Sequence, residues 1–167
     1  MNATVAPLAD THFEPLRLAF DVVAREKRFL ALVQAPPPEQ AFAFYRNVVE
    51  NDLCLFVALL DREVVGWCDV LPTHGEARSH LGVLGIGLVP KARHMGLGRR
   101  LMQATIAKAW SKRLTRIELT VRCDNQNAKA LYERMGFQDE GIKRRAFLID
   151  GQYYDCYSMG LLRDDAQ

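Results

Sequence analysis

Arg93, Gly96, Gly98, Arg99 and Arg100 stand close together in the run 91–100, and their types suit the gripping of an anion. Arginine brings charge and several N–H donors, while glycine lets a bound group come close to the main chain. The position of the run gives it meaning. A stretch rich in Val, Leu and Ile, 81–89, precedes it, and an amphipathic stretch reaching Trp110 follows. This order predicts a strand, a turn, and a helix opening at about Met95. The first N–H groups of a helix have no partners within it, and the positive end of its dipole lies there. A phosphate-bearing ligand fits such a junction.

A second block lies downstream. Asn125, Ala128, Leu131, Tyr132, Gly136 and Phe137 follow the spacing N-x-x-A-x-x-L-Y-x-x-x-G-F. The ordered pair, R-x-x-G-x-G at 93–98 and then this block, resembles the GNAT family of N-acetyltransferases. The likeness covers most of the chain from about Leu53 onward. It implies acetyl-CoA as co-substrate and transfer of its acetyl group to a primary amine by direct attack in a ternary complex. By the same resemblance, the backbone of Ile86, Gly87 and Leu88 would pair with the pantetheine arm like an added strand. His94, Met95, Gly96, Leu97, Gly98 and Arg99 would wrap the pyrophosphate, with Arg93 at the start of the turn. Asn125 would hydrogen-bond the cofactor from the other side, and Tyr132 would protonate the departing thiolate. The expected acceptor is a small molecule such as an amino acid. A protein N-terminus, or a non-catalytic domain that senses acetyl-CoA or CoA, is the alternative.

The general base is less plainly written. Similar enzymes of the ribosomal-protein alanine type carry a glutamate in the strand before the Asn block, as L-E-V-R. This chain reads Leu119-Thr120-Val121-Arg122, and a threonine is no base at neutral pH. Glu118 shares the side of the strand with Thr120 and is the expected base, with His80 and Asp69 the remaining candidates. A site without a plain base favours an α-amine, pKa about 7.7–8.0, over a lysine near 10.4. Lys143, Arg144 and Arg145 are candidates to bind a substrate carboxylate. Arg28-Phe29, after the first helix, lies where the family's acceptor segments fall.

The elements that would position these residues can be read from periodicity. Thr11 with Glu14 three residues on has a capping-box pattern, followed by Phe13, Leu16, Phe20 and Val23 at helical spacing. A second helical pattern runs over 39–50, beyond Pro36-Pro37-Pro38. Two β-rich runs, 53–60 and 63–71, read as a hairpin around Asp61-Arg62. The helix after the Gly-rich turn would bury Gly98, Leu101, Met102, Thr105, Ile106 and Ala109. Residues 116–122 alternate, with Ile117, Leu119 and Val121 on one side. A short helix then carries Ala128, Leu131, Tyr132 and Met135, and Asp150-Gly151 marks a final hairpin between 142–149 and 153–162. With 4–8 as a first strand, the order is β-α-α-β-β-β-α-β-α-β-β. It predicts a mixed α/β (α+β) fold, the GNAT fold by resemblance, with about seven strands and helices on both faces.

Composition agrees with one domain over 1–167. Apolar residues make up 49% and charged residues 25%, with a net charge of +2. This argues against nucleic-acid binding by the whole surface, and the basic run carries no interleaved aromatics. Gly85 to Pro90 lacks the last glycine of a dinucleotide fingerprint, and no parallel strand set surrounds it. The four cysteines have no metal-ligand spacing and read as reduced thiols of a cytoplasmic protein. The longest apolar run, 53–60, is far too short for a membrane span, and the N-terminus has no signal-peptide pattern. The expectation is therefore no metal, no membrane and no nucleic acid. Homodimers are common among the proteins resembled.

Overall fold

The computed structural model describes residues 1–165. Seven strands form one mixed sheet in the order β1-β2-β3-β4-β5-β7-β6. They are β1 (Ala3–Pro7), β2 (Cys54–Leu60), β3 (Glu63–Pro72), β4 (Leu81–Leu88), β5 (Arg116–Arg122), β6 (Gln138–Ile149) and β7 (Gln152–Leu162). The helices are α1 (Phe13–Arg25), α2 (Pro38–Glu50), α3 (Leu97–Ser111) and α4 (Gln126–Arg134). Fold class, element order and strand number match the sequence expectation.

Alternation sorts the sheet into two faces. Trp67 of β3 packs against Phe20 of α1, ring centroids 5.1 Å apart, so Trp67 and Asp69 face α1 and α2. A Cβ built on Gly98 of α3 would touch Leu88, Ile86 and Leu131, so Ile86 and Leu88 face α3 and α4. Helix α3 lies over the centre of its face through Leu97, Leu101, Met102, Thr105 and Ala109, each essentially without solvent exposure. Buried Thr105 Oγ1 donates to Leu101 O at 2.8 Å, within its own helix.

The Pro-rich connector has a simple local role. Pro38 opens α2, where a missing N–H costs nothing. At the other end of the chain, Asp150 and Gly151 both take positive φ, +49° and +78°, which suits a two-residue turn between twisted strands.

One expectation is corrected. Thr11 does not cap α1: residues Asp10–His12 form a short 3₁₀ turn and the helix starts at Phe13. Pro15 explains the shift. Capping at Thr11 would put Pro15 at the fourth helical position, where its N–H is needed for the first intrahelical bond. Starting at Phe13 places it third, where none is required. Glu14 turns instead to Arg17, at 2.9 Å.

Leu101 is fully enclosed beneath the sheet. Leu101→Ala should cost about 2–5 kcal/mol, read as a lower urea midpoint at unchanged slope.

Candidate active site

The central feature is an interrupted ladder. β4 and β5 run parallel and pair only at Leu81↔Arg116, Gly82↔Ile117 and Val83↔Glu118. Beyond that point they diverge, while β4 stays paired with β3 up to Gly66↔Leu88. The edge of β4 from Leu84 to Leu88 therefore faces an open wedge rather than a strand. A cleft of about 750 Å³ fills the wedge, lined by Ile86, Gly87, Leu88, Thr120, Asn125 and Tyr132 among others.

The turn after β4 forms the mouth. His94 and Gly96 have positive φ, +61° and +77°, and Gly96 is the residue before α3. No side chain caps this helix and its first turn has no acidic residue. Arg100 N–H is the first main-chain donor to find a partner, at Gly96 O. The N–H groups of Leu97, Gly98 and Arg99 precede the first intrahelical bond. Arg28, Arg99 and Arg134 add positive charge around the same cleft. An open backbone edge for an amide-bearing arm and an uncapped helix start for phosphates are what the acetyl-CoA expectation requires.

Arg93 lines the cleft yet is already engaged. Its Nε donates to Leu88 O at 3.0 Å, its guanidinium pairs with Glu26, and it lies 4.8 Å from the Phe29 ring centroid. It ties the end of β4 to the segment after α1. Asn125 has two uses. Its Oδ1 accepts from Ala128 N at 3.2 Å and caps α4, which leaves its amide N–H₂ for the cleft. Met95 is exposed and Leu97 is buried, so these two contribute to the turn through main chain.

Tyr132 reaches the cleft from α4 with most of its surface buried. Burial pushes its phenol far above the usual range, and so the proton stays on the oxygen at any physiological pH. Thr120 lies in the open part of the wedge, with Lys143 Nζ 3.4 Å from its hydroxyl. Glu118 does not join them. It sits at the last paired position, held by Arg116 at 2.9 Å and Arg78 at 3.8 Å. Arg145 lies against the Tyr153 ring, 4.7 Å from its centroid.

A second clamp was not foreseen from the sequence. Arg122 is buried at the end of β5, where Nε donates to Asp124 at 2.9 Å and Nη1 to Lys27 O at 3.0 Å. Its guanidinium stacks 3.6 Å from the Tyr154 centroid. Lys27 itself reaches Asp150 at the β6–β7 turn, also 3.0 Å. Arg122 pairs with Cys156 in register, and Tyr154 is its diagonal neighbour. The signal was the aromatic pair Tyr153-Tyr154 just after the turn.

Comparison with known proteins places this geometry. The sequence model of the acetyltransferase (GNAT) family matches residues 21–137.

The chain belongs to the GNAT family.

The L-amino acid N-acetyltransferase AaaT of Escherichia coli is 29% identical over 98% of this chain and all of its own length. The solved GNAT acetyltransferase from Streptococcus pneumoniae is 26% identical, with a TM-score of 0.90 over 97% of this chain and 100% of that one. The yncA structure from Salmonella typhimurium, determined with acetyl-CoA, shares the fold at a TM-score of 0.92 and 14% identity, over 99% and 96% of the two chains. This GNAT protein is an acetyl-CoA-dependent N-acetyltransferase.

The GNAT turn depends on the left-handed conformation of Gly96 rather than on space, because a Cβ there meets nothing within 4 Å. Gly96→Val should weaken acetyl-CoA binding at least tenfold in a calorimetric titration. A strained β-branched residue in that conformation costs about 1–2 kcal/mol before any lost contact is counted.

Proposed function

We propose that this enzyme acetylates the α-amine of a small molecule, an amino acid, by direct attack within a ternary complex, with Tyr132 as proton donor to the departing thiolate. The observation that carries the reading is a buried tyrosine, Tyr132, lining the same cleft as the open edge of β4. Acetyl-CoA supplies an activated acyl group as its thioester. Holding it falls to the free main-chain edge of Ile86, Gly87 and Leu88, the turn from Arg93 to Arg99, and the Asn125 amide.

The full-length likeness to an L-amino acid N-acetyltransferase supports an amino-acid acceptor. The absence of a carboxylate at position 120 agrees with an α-amine, a good fraction of which is already neutral near pH 7.5. Arg28, at the cleft wall, is a cation within the site for an acceptor carboxylate. Lys143 beside Thr120 is another.

This reading places the enzyme in the cytoplasm as one domain acting without nucleic acid, membrane or metal. Four free thiols support the reducing compartment, and a net charge of +2 gives the chain no overall basic excess of the kind that marks nucleic-acid binders. No helix among the described residues is long and apolar enough to cross a membrane.

Free-thiol release from acetyl-CoA across amino acids, polyamines and N-terminal peptides tests the reading. Amine-dependent release should occur and be greatest with amino acids. Tyr132→Phe should lower kcat roughly 10²–10⁴-fold while acetyl-CoA affinity stays within about twofold. Equal kcat in the variant and the parent would remove the proton-donor role.

A further inference from the structure

On the α1/α2 face lies a second, smaller cavity of about 320 Å³ that the acetyl-CoA cleft does not include. Its walls are largely apolar: Leu16 and Phe20 from α1, Phe44 and Tyr45 from α2, Leu55 from β2 and Trp67 from β3. Asp69 is a carboxylate among them. The two cavities adjoin across β4. Trp67, which lines the smaller one, covers Gly87, which lines the larger, so closely that a Cβ on Gly87 would fall 2.3 Å from the ring. Asp69 pairs in register with Gly85, and its carboxylate lies over that glycine. Thus Asp69 approaches β4 from one face, two residues short of Gly87, while Tyr132 reaches the cleft from the opposite side of the sheet.

We propose that this pocket receives the acceptor, binding an amine that carries an apolar or aromatic group, with Asp69 as counter-ion to the ammonium and general base. An anion walled by hydrocarbon is costly unless a cation joins it. An amine bearing an apolar group satisfies both features at once. The inference rests on the acetyltransferase reading and names the substrate class and base of that same site.

The chemistry balances. Asp69 takes one proton from the ammonium and leaves a neutral amine. The amine lone pair forms the new C–N bond at the acetyl carbonyl carbon as the C–S bond breaks. Sulfur departs with the bonding pair and gains a proton from Tyr132, which recovers one from the acetylated nitrogen. Asp69 then returns its proton to solvent.

The surroundings of Asp69 favour the role. Burial raises its pKa to about 7, and the Gly85 N–H works against that shift. Few groups that titrate face it. From α2 comes Tyr45, whose phenol burial pushes up to about 12, while the neighbouring Cys68 of β3 points to the other face of the sheet, toward Thr105. From α1 come Leu16 and Phe20, from β2 Leu55 and from β4 Gly85, none of which titrates. Glu14 and Arg17, near Tyr45, pair with each other.

The test is Asp69→Asn, assayed by thiol release with phenethylamine and ethanolamine between pH 5.5 and 9, with acetyl-CoA affinity measured in parallel. Phenethylamine remains mostly ammonium over most of this range. The wild type should prefer phenethylamine, and its kcat/KM should fall as pH drops through about 7, where the base becomes protonated. In Asp69→Asn, kcat/KM near pH 7 should drop roughly a hundredfold and the break near 7 should give way to a steady rise of about tenfold per pH unit that follows the free-amine fraction, with acetyl-CoA affinity unchanged.

Phe44→Ala, at the exposed rim of the pocket, should raise KM for phenethylamine about tenfold and change KM for ethanolamine much less. If Asp69→Asn fails to bind acetyl-CoA, the wild-type limb and the Phe44→Ala split decide. An unchanged profile in Asp69→Asn, or a preference for ethanolamine, overturns this assignment alone. No thiol release from any amine by the wild type overturns it together with the acetyltransferase reading.

Discussion

Main-chain N–H and C=O groups inside a folded protein must find partners, and β4 meets that demand on one edge only. Its ladder to β3 is continuous as far as Leu88, whereas its ladder to β5 stops at Val83. A gap in the middle of a seven-stranded sheet leaves polar groups beside a hydrophobic core, where only water or a ligand with amides of its own can serve them. The rest of the site follows from that gap. Tyr132 has access to the interior because β5 has moved away, and the helix after the glycine turn begins at the top of the wedge with its first N–H groups uncapped.

A wedge between two strands needs something to set its width, and two arginine clamps do so. Arg93 fastens the end of β4 to Glu26, and Arg122 fastens the end of β5 to the main chain of Lys27. Glu26 and Lys27 are consecutive residues just past α1. The two lips of the cleft are therefore tied to one point on the chain, and Lys27 carries the connection on to Asp150 at the hairpin turn. Arg122 is mostly desolvated, its guanidinium stacked on Tyr154 and paired with Asp124, so its removal would cost that packing and free the end of β5 from Lys27.

Much of this could be read from the chain because it is local. The alternation at 116–122, the helical stripe from Gly98 to Ala109 and the Asp150-Gly151 turn are short-range patterns with one good structural solution each. Arg93, Gly96 and Gly98 could be placed at the mouth of the cleft for the same reason, since a strand–turn–helix junction fixes its own geometry, whereas Asn125 and Tyr132 were picked out by the resemblance to the GNAT block. What the sequence hid was long-range pairing. Nothing near Arg93 announces Glu26, and nothing near Arg122 announces Lys27, because those contacts join segments 67 and 95 residues apart. Glu118 shows the same limit. Its side of the strand was read correctly, but its partners, Arg116 and Arg78, and its place at the closed end of the wedge depend on where the β4 ladder stops. The Pro15 shift of α1 was a local signal outweighed by an attractive capping pattern.

Gly85 and Gly87 leave β4 without side chains on the α1/α2 face, and Asp69 and Trp67 lie directly on its main chain there. At Gly87 the Trp67 ring thus rests on a residue that lines the larger cleft, with no side chain in between. A change of volume or charge on one side is consequently felt on the other with no helix or loop having to move, and the hydrogen atoms of two glycines become the dimension that sets how near the two chambers can come.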